Sequence, residues 1–584
     1  MKRLIIITEI IAFSFNILSG QLTGNGTSGN PYTGTISTNT TWYPNNYLER
    51  KIYVLDLTIT NNATLTISPG IYYGGTVQFY AGYTLTIEGG STFIINPNTG
   101  VTVESIVNNG TLILESNSNE AGSASLIHDS YDGTGVSQVK LYLSGGTTSE
   151  GAYKWHYISV PMNNVSVSTF GTLNLAQYLE NLVTSPDNYP GWVAYDGYQY
   201  SSGNTLSYTF NTLALRRGYM YYASSGNIFT LTGNINYGLG SVAVTCGSGY
   251  PDYQGFNLIG NPFAACIDWN WIISNYPPAY VNNAIYFTNN GRIASYVGGL
   301  GDNGGTGTIP PMQGFFVKAN ANSSISLRPG ARVHNIEQLR YKKGPEEYEN
   351  STDTISFIRL KIQDSRDSTD LVVRFNKKAT AGIDKEFDAY EFSKTSGDIN
   401  IWTSTSGIAF SINGLPFPES TMEIPVGVNS KISGIFRLSL SEINKLDDYS
   451  VLLKDNLTGK IIDLKKGEYC EFTSQTGLSE NRFIVVVTKS TTGVQDITSS
   501  SEEKFAIYRS GEGVNIRYDG NSQVPFAGSV AIYDISGKII LKQTHLEWSG
   551  KGDYRRVNIG PVSPGIYIIK VSTKDFKSVE KIAF

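Results

Sequence analysis

The sequence predicts an all-β protein built from a short β-solenoid, a duplicated β-rich domain, an immunoglobulin-like β-sandwich and a small C-terminal β-sandwich. Three observations carry that expectation. The 61 Gly and 38 Tyr, with abundant Thr, Ser, Asn, Ile and Val, suit pleated strands joined by tight turns. Short runs alternate apolar and variable residues, the pattern of half-buried strands. At 584 residues the chain is too long for one core, and roughly 100–200 residues per domain gives three to five domains. Only 16% of residues are charged and 12% are aromatic, so hydroxyls and amides cover the surface in place of ion pairs. A net charge of −5 and the absence of a basic block argue against nucleic acid as a partner. Plentiful apolar residues argue against disorder.

In chain order, residues 1–20 read as a signal peptide. Lys2 and Arg3 precede Leu4–Ile7, an apolar stretch runs from Ile10 to Leu18, and Ser19-Gly20 supplies small residues before Gln21. Glu9 interrupts that pattern. No later stretch has the roughly 18 apolar residues a membrane helix requires, so no membrane span is expected.

Residues 21–150 read as a short solenoid. Leu57-Thr58-Ile59 recurs as Leu65-Thr66-Ile67, Val77-Gln78-Phe79 as Leu85-Thr86-Ile87, and Phe93-Ile94-Ile95 as Val101-Thr102-Val103, each eight residues on. Gly89-Gly90 and Asn108-Asn109-Gly110 lie between triplets as turns. Inward residues that stack on the same position of the next coil produce such a pattern, over three or four coils here. An antiparallel meander is the alternative. Polysaccharide lyases and hydrolases also use parallel β-helices, but cleavage needs paired carboxylates or a base beside a cation. Asp56, Glu88 and Glu104 stand far apart without Lys, Arg or His, so catalysis is not expected there.

Residues 151–337 contain a duplication. Trp155–Pro161 matches Phe256–Pro262 at an offset of 101, and Gly218–Ala223 matches Gly314–Ala319 at an offset of 96. Each half reads as strand, proline turn, variable middle, glycine and aromatic strand, with the matching strands in the core. Short helices are expected at Leu173–Leu182 and at Asp268–Ser274, the second with Asp268 as N-cap. Tyr189, Trp192, Tyr195, Tyr198 and Tyr200, followed by Tyr208, Tyr219, Tyr221 and Tyr222, leave two readings open: a stacking platform for glycans or ordinary packing. Gly298–Gly305 lacks the Gly-Lys-Ser/Thr of a phosphate loop and reads as a mobile hairpin.

Residues 338–354 are charged and polar and read as a linker. Residues 355–490 follow as the β-sandwich, with alternating strands from Phe357 to Thr488. Asp364, Asp367 and Asp370, and separately Asp384 and Asp388, read as turn carboxylates, with calcium as the other reading. Cys246, Cys266 and Cys470 allow one bridge at most, Cys246–Cys266 being nearest in sequence; otherwise they are small buried residues. The four histidines are scattered without zinc-ligand spacing, so no cofactor is expected. Residues 491–504 read as a second linker, and 505–584 as a compact terminal module with turns at Ser536-Gly537 and Pro564-Gly565.

That last module resembles the type A C-terminal sorting domain of the bacterial type IX secretion system. The resemblance rests on Val530–Lys538 (VAIYDISGK), Pro564–Val571 (PGIYIIKV) and Lys581–Phe584 (KIAF). It implies Tyr533, Asp534, Gly537, Lys538, Pro564, Gly565, Tyr567 and Lys581 as the sorting signal. It also implies export to the periplasm by the signal peptide, then engagement of the outer-membrane translocon and sorting machinery. Removal of the module at the surface follows, with the remainder released or anchored to lipopolysaccharide. Asn261-Pro262-Phe263 with Ile267-Asp268-Trp269, Gln313–Val317 and Asn108–Leu112 resemble segments of large surface proteins carrying such tails, which implies location without an activity. The function expected is that of a non-catalytic structural or adhesin-like protein of the cell surface, with surface glycans as the partner in the rival reading and polysaccharide degradation in a third.

Overall fold

The computed structural model describes residues 22–584 except 48–49, 70–74, 118–121, 147–153, 172–174, 184–190, 248–249, 251–252, 290–291, 335–354, 392–398, 490–504, 511–512, 520–524, 535–536, 564 and 575–576. The expected signal peptide and both linkers lie outside the described residues. The chain divides into two compact units, one ending at Lys489 and one from Ser490 to Phe584.

The first unit begins with five coils that alternate between two parallel sheets. One sheet takes Tyr32–Ile36, Lys51–Ile59, Gly75–Phe79 with Thr84–Ile87, Thr99–Asn108 and Ser125–Asp132. The other takes Thr40–Trp42, Thr64–Ile67, Thr92–Ile95, Thr111–Leu114 and Val136–Leu143. Register explains the triplets differently from the eight-residue spacing. Leu57 and Leu65 sit on opposite sheets of one coil; Leu57 stacks on Leu85, and Leu65 on Phe93. Trp42, Ile67, Ile95, Leu114 and Val139 form one column through all five coils, each less than 9% exposed. Burial on one face and Thr on the other follow from the period of two along each strand. The last coil is an open edge that Asn227–Thr232 closes by antiparallel pairing on Val136–Leu143, which removes a template for aggregation.

The duplicated segment folds as two sheets of the same strand order. The first runs Lys154–Ile158, Tyr219–Ala223, Leu175–Tyr178, Trp192–Ala194; the second runs Phe256–Gly260, Gly314–Ala319, Val281–Asn289, Arg292–Val297, Leu300–Gly301. The two meet through a pseudo-twofold exchange. Ser159 N–H donates to Met312 O (2.8 Å), and Gly260 N–H, its counterpart, donates to Arg216 O (2.9 Å). Arg216 and Met312 both hold positive φ, +68° and +58°, a strained conformation for residues with a Cβ. The glycines two residues on are required by proximity: a Cβ on Gly218 would meet Ile259 O at 2.6 Å, and one on Gly314 would meet Ile158 O at 2.9 Å. Glu180 is buried in the first half and accepts Gly247 N–H and Gly255 N–H (3.0 Å each), tying that loop down.

Two helical expectations part here. Trp269–Asn275 is helical, with Asp268 accepting Asn270 N–H at 2.9 Å as its cap. The first-half segment is instead a strand, Leu175–Tyr178, followed by a 3-10 turn at Glu180–Leu182. Leu175 and Ala176 pair with Tyr221 and Met220, and Tyr178 pairs with Trp192, so sheet partners on both sides override the local pattern.

Ser356–Lys489 forms one eleven-stranded sheet that bends over a single core, so a continuous sheet supplies both layers of the sandwich. Its order begins Ile461–Asp463, Tyr449–Asp455, Gly477–Lys489, Thr421–Ser430 and ends Ser356–Gln363, Gly434–Asn444, Tyr469–Ser474. The glycine run is not a mobile hairpin. Gly298 O accepts Arg374 Nη1 (2.8 Å), Gly301 O accepts Arg359 Nη1 (2.7 Å) and Asn303 N–H donates to Asp370 Oδ1 (2.7 Å), all on the sandwich. Glycine here lets the backbone lie flat against another sheet. Phe316, Tyr286 and Leu300 then share a core with Phe357, Val372 and Ile412.

Candidate functional site

The terminal module packs a three-stranded sheet, Phe505–Ser510, Gly513–Tyr518 and Tyr554–Asn558, against a four-stranded one, Ile539–Trp548, Phe526–Asp534, Ile566–Thr573 and Lys577–Ala583. Val530, Ile532, Ile569 and Val571 face Val514, Ile516 and Val557 across the core. Trp548 is fully buried, its ring 4.9 Å from Phe505, and its Nε1–H donates to Ile516 O of the other sheet at 3.2 Å. A buried indole with its one donor satisfied joins the two layers.

The residues expected as the sorting signal fall at one end of the four-stranded sheet. Asp534 shapes the hairpin: its carboxylate accepts Lys538 N–H (3.0 Å), its carbonyl accepts Gly537 N–H (3.0 Å), and Gly537 takes φ +82°. A Gly at that turn position avoids the left-handed strain. Asp534 is paired with Tyr567, which is buried and donates from its hydroxyl to Ser563 O (2.8 Å). Tyr567 also meets Phe584 edge-on at 5.6 Å, while Gly565 and Phe584 exchange backbone bonds of 3.1 and 2.9 Å. Tyr533 lies opposite Ile568, which lies opposite Lys581, so the three share a row across three strands. Lys538 and Lys581 are exposed, and Pro564 lies outside the described residues. No motif singled out Arg509, whose guanidinium stacks 5.1 Å over Phe584 and donates to Ala583 O at 3.2 Å. Its only cue is the aromatic last residue. Asp553, accepting from Ser549 N–H (2.9 Å) and Ser549 Oγ (2.7 Å) and pairing with Arg555, is held well below the usual carboxylate range.

Elsewhere the candidates disperse. Tyr189 lies outside the described residues. Trp192 is 8% exposed and packs on Tyr178, Tyr157 and Phe316, so its ring faces the core. Tyr195 and Tyr200 are half-buried, and Tyr219 and Tyr221 are buried. Tyr198 and Tyr208 remain open, at 42% and 41% exposure. The aspartates expected in turns do serve the protein itself. Asp364 accepts Arg366 and Asp367 N–H, Asp367 pairs with Arg292, and Asp370 pairs with Arg359. Asp388 accepts Asp384 and Gly414 N–H (2.6 Å each), and burial raises its pKa to about 7. Among the described residues no three His, Cys, Asp or Glu side chains come together as a metal site, and the three cysteines are free thiols, so Cys246 and Cys266 are not bridged.

Two family models match. Residues 510–584 match the secretion system C-terminal sorting domain, and residues 270–487 match a domain of unknown function, DUF8693. The second spans the second-half sheet apart from its Phe256–Gly260 strand, the glycine run and most of the sandwich. No curated protein matches the chain. Among solved structures, a two-domain fibronectin type III segment of chicken tenascin is 9% identical, covering 27% of this chain and 95% of its own, with a TM-score of 0.12. The adhesin domain of Epf from Streptococcus pyogenes is 10% identical over 39% of this chain and 90% of its own, with a TM-score of 0.11. A β-D-glucuronidase from Dictyoglomus thermophilum is 11% identical over 36% of this chain and 45% of its own, with a TM-score of 0.10. At such scores these likenesses carry no argument. Among the described residues no helix is long and apolar enough to cross a membrane. Residues 510–584 are a type IX secretion C-terminal sorting domain, and the protein is an all-β cargo which that route delivers to the cell surface or extracellular space.

Proposed function

We propose that residues 21–489 form a non-catalytic structural, adhesin-like body that the terminal module delivers to the outside of the cell. The observation that carries this reading is the use to which half-buried and buried ionisable groups are put. Arg292, Arg359, Arg374, Asp367 and Asp370 all lie at the junction between the second-half sheet and the sandwich, where they join one layer to the next. Side chains so engaged make a stiff scaffold that transmits load between its parts, which suits surface attachment. On this reading 21–150, 151–337 and 355–490 are three domains fused into one body, and residues 1–20 direct the first export step. Asp534, Gly537 and Tyr567 shape the end of the sorting module, while the exposed Lys538 and Lys581 meet the sorting machinery. After removal of the module the body is released or anchored to lipopolysaccharide.

The test is fractionation of cells making the full chain beside cells making a chain that ends at Ser501. The full chain is expected at the surface or in the medium, and the truncated form in the periplasm. Surface delivery of the truncated form refutes the assignment of delivery to the module.

A further inference from the structure

We propose that the outer face of the four-stranded sheet in the sorting module is a docking surface for an acidic protein partner with an apolar centre. Pairing register builds that face. Tyr533 lies opposite Ile539 on one neighbouring strand and opposite Ile568 on the other, and Ile568 lies opposite Lys581, so one row runs Ile539, Tyr533, Ile568, Lys581. Two residues along, the next row sets Ala531 between Lys542 and Lys570. Alternation along the strands turns Val530, Ile532, Ile569 and Val571 into the core, which leaves these rows facing outward. Ile539 is 53% exposed, as is Ile566 two residues before Ile568, while Tyr533 and Ile568 are half-buried. An apolar strip thus crosses three strands in the open, with two lysines along its flank and one at its end.

Charge selects the partner. Lys542, Lys570 and Lys581 have no ion pair among the described residues. The aspartates of the module are engaged elsewhere: Asp534 in its hairpin, Asp519 with Arg517, and Asp553 with Ser549 and Arg555. Glu580 stands opposite Ile569, on the core side of the sheet, and Glu547 lies opposite Ala527, two rows or about 13 Å beyond Lys542. Residues 505–584 hold 11 Lys and Arg against 7 Asp and Glu, a net +4 within a chain of net −5. Lys542 and Lys570 are two strand spacings apart, about 10 Å, a separation that two carboxylates on a folded surface can match. A second copy does not fit this face, since lysine would meet lysine. A bilayer does not fit either. The isoleucines are shorter than the lysines around them, so anionic headgroups would stop at the ammonium groups and leave the apolar strip short of the acyl layer. A protein with carboxylates around an apolar rise buries the strip and pairs its rim together. The proposal rests on the reading that the module meets the sorting machinery, and it adds the surface and the chemistry of what is met; of the residues forming the face, only Tyr533 and Lys581 belong to the expected sorting signal.

The experiment is fractionation of cells making full-chain variants, beside cells making the chain that ends at Ser501. Lys542→Glu with Lys570→Glu is expected to lower surface delivery about tenfold or more, because each rim lysine is replaced by a charge like the partner's own. Lys551→Glu with Lys574→Glu, the same change of charge on turns away from the face, is expected to be delivered as the parent is. Lys542→Arg with Lys570→Arg is expected to keep delivery, and Ile539→Ser with Ile566→Ser to lower it about fivefold. Calorimetry of each variant shows whether the module is folded; should the first Glu pair melt early, Lys542→Gln with Lys570→Gln decides in its place. Parental delivery of the deciding pair, with the truncated chain held in the periplasm, refutes the face and leaves the delivery reading standing; delivery of the truncated chain refutes both. Equal losses in the two Glu pairs would overturn the proposal, as would flotation of the parent, and not of the first Glu pair, with phosphatidylglycerol vesicles, which would assign the face to lipid.

Discussion

Replacing Trp548 by Ala tests whether the sorting module is held together by one side chain. The indole is fully buried, stacks 5.9 Å from Phe526 at an interplanar angle of 18°, and hydrogen-bonds the opposite sheet through Ile516 O. Truncating a buried Trp to Ala costs about 3–5 kcal/mol, before counting the carbonyl left without its donor. A module of about 80 residues has only about 4–12 kcal/mol of stability in total. Its unfolding entropy, about 2.1 cal/mol/K per residue, is near 0.17 kcal/mol/K, so the loss corresponds to a fall of about 20–30 °C in Tm. Because the chain divides into two compact units, calorimetry of the full protein should show separate transitions. Trp548→Ala is expected to move the smaller transition by tens of degrees and leave the larger in place, and surface delivery should fall with it. Both transitions staying within a few degrees of the parent would refute the argument.

Three other perturbations follow from the geometry. Gly314→Ala drives a Cβ against three backbone atoms of Tyr157 and Ile158 at 2.9–3.0 Å, an overpacking of about 1–3 kcal/mol or more; Gly89→Ala, whose nearest neighbour is Asn109 O at 3.8 Å, is expected to be neutral, and urea unfolding of the larger unit compares the two. Arg359→Met leaves Asp370 without its cation in a site less than 20% exposed, which costs about 3–5 kcal/mol and is expected to open the 298–303 segment to proteolysis. For pH, burial lowers His128 and His334 to about 4, so the unfolded chain binds protons first and these two groups withdraw stability as pH falls from 6.5 to 4. Burial raises Asp302 to about 7, as it does Asp388, so the folded chain keeps protons the unfolded one releases, and stability is withdrawn as pH rises from 3.8 to 7. The two slopes oppose one another between about 4.5 and 6.5. Asp302→Asn removes one of them, and its stability relative to the parent should rise by about 1.4 kcal/mol per pH unit across that window. A parallel pair of Tm-against-pH curves would contradict this assignment.

Much of the architecture could be read because it repeats. A stacked coil must place an apolar residue at the same level each turn, so the Leu-Thr-Ile triplets announced a solenoid, although the eight residues between Leu57 and Leu65 link two sheets of one coil and not two coils, and those between Val77 and Leu85 link two strands of one sheet. The matched Trp155 and Phe256 segments announced paired sheets of equal order. The turn chemistry of Asp534 and Gly537 was legible for the same reason, since a tight hairpin accepts few residue types. What could not be read depended on partners distant in sequence. Leu175–Tyr178 reads as helical until Tyr221 and Trp192 flank it, and Gly298–Gly305 reads as loose until Arg359 and Arg374 reach it from another domain. Trp192 stood in a tyrosine-rich run and looked like surface; its neighbours in space, Tyr157 and Phe316, are 35 and 124 residues away in the chain.

The duplication also explains why strain persists in the middle of the first unit. Arg216 and Met312 occupy equivalent places, and each offers the carbonyl that its opposite half needs, to Gly260 and Ser159. A left-handed residue with a Cβ is unfavourable by itself, on the order of 1 kcal/mol, and survives only where its surroundings fix it. Here the fixing element is the partner half: each strained turn completes the other's ladder, and each following glycine lets the strands close. Relieving one side alone, by lengthening the turn at Met312, would leave Ser159 N–H without its acceptor inside the protein while Arg216 still strains for Gly260. The two halves are therefore coupled through these turns, and Gly218 and Gly314, the positions where the strands close most tightly, are among those at which the two halves still match in sequence.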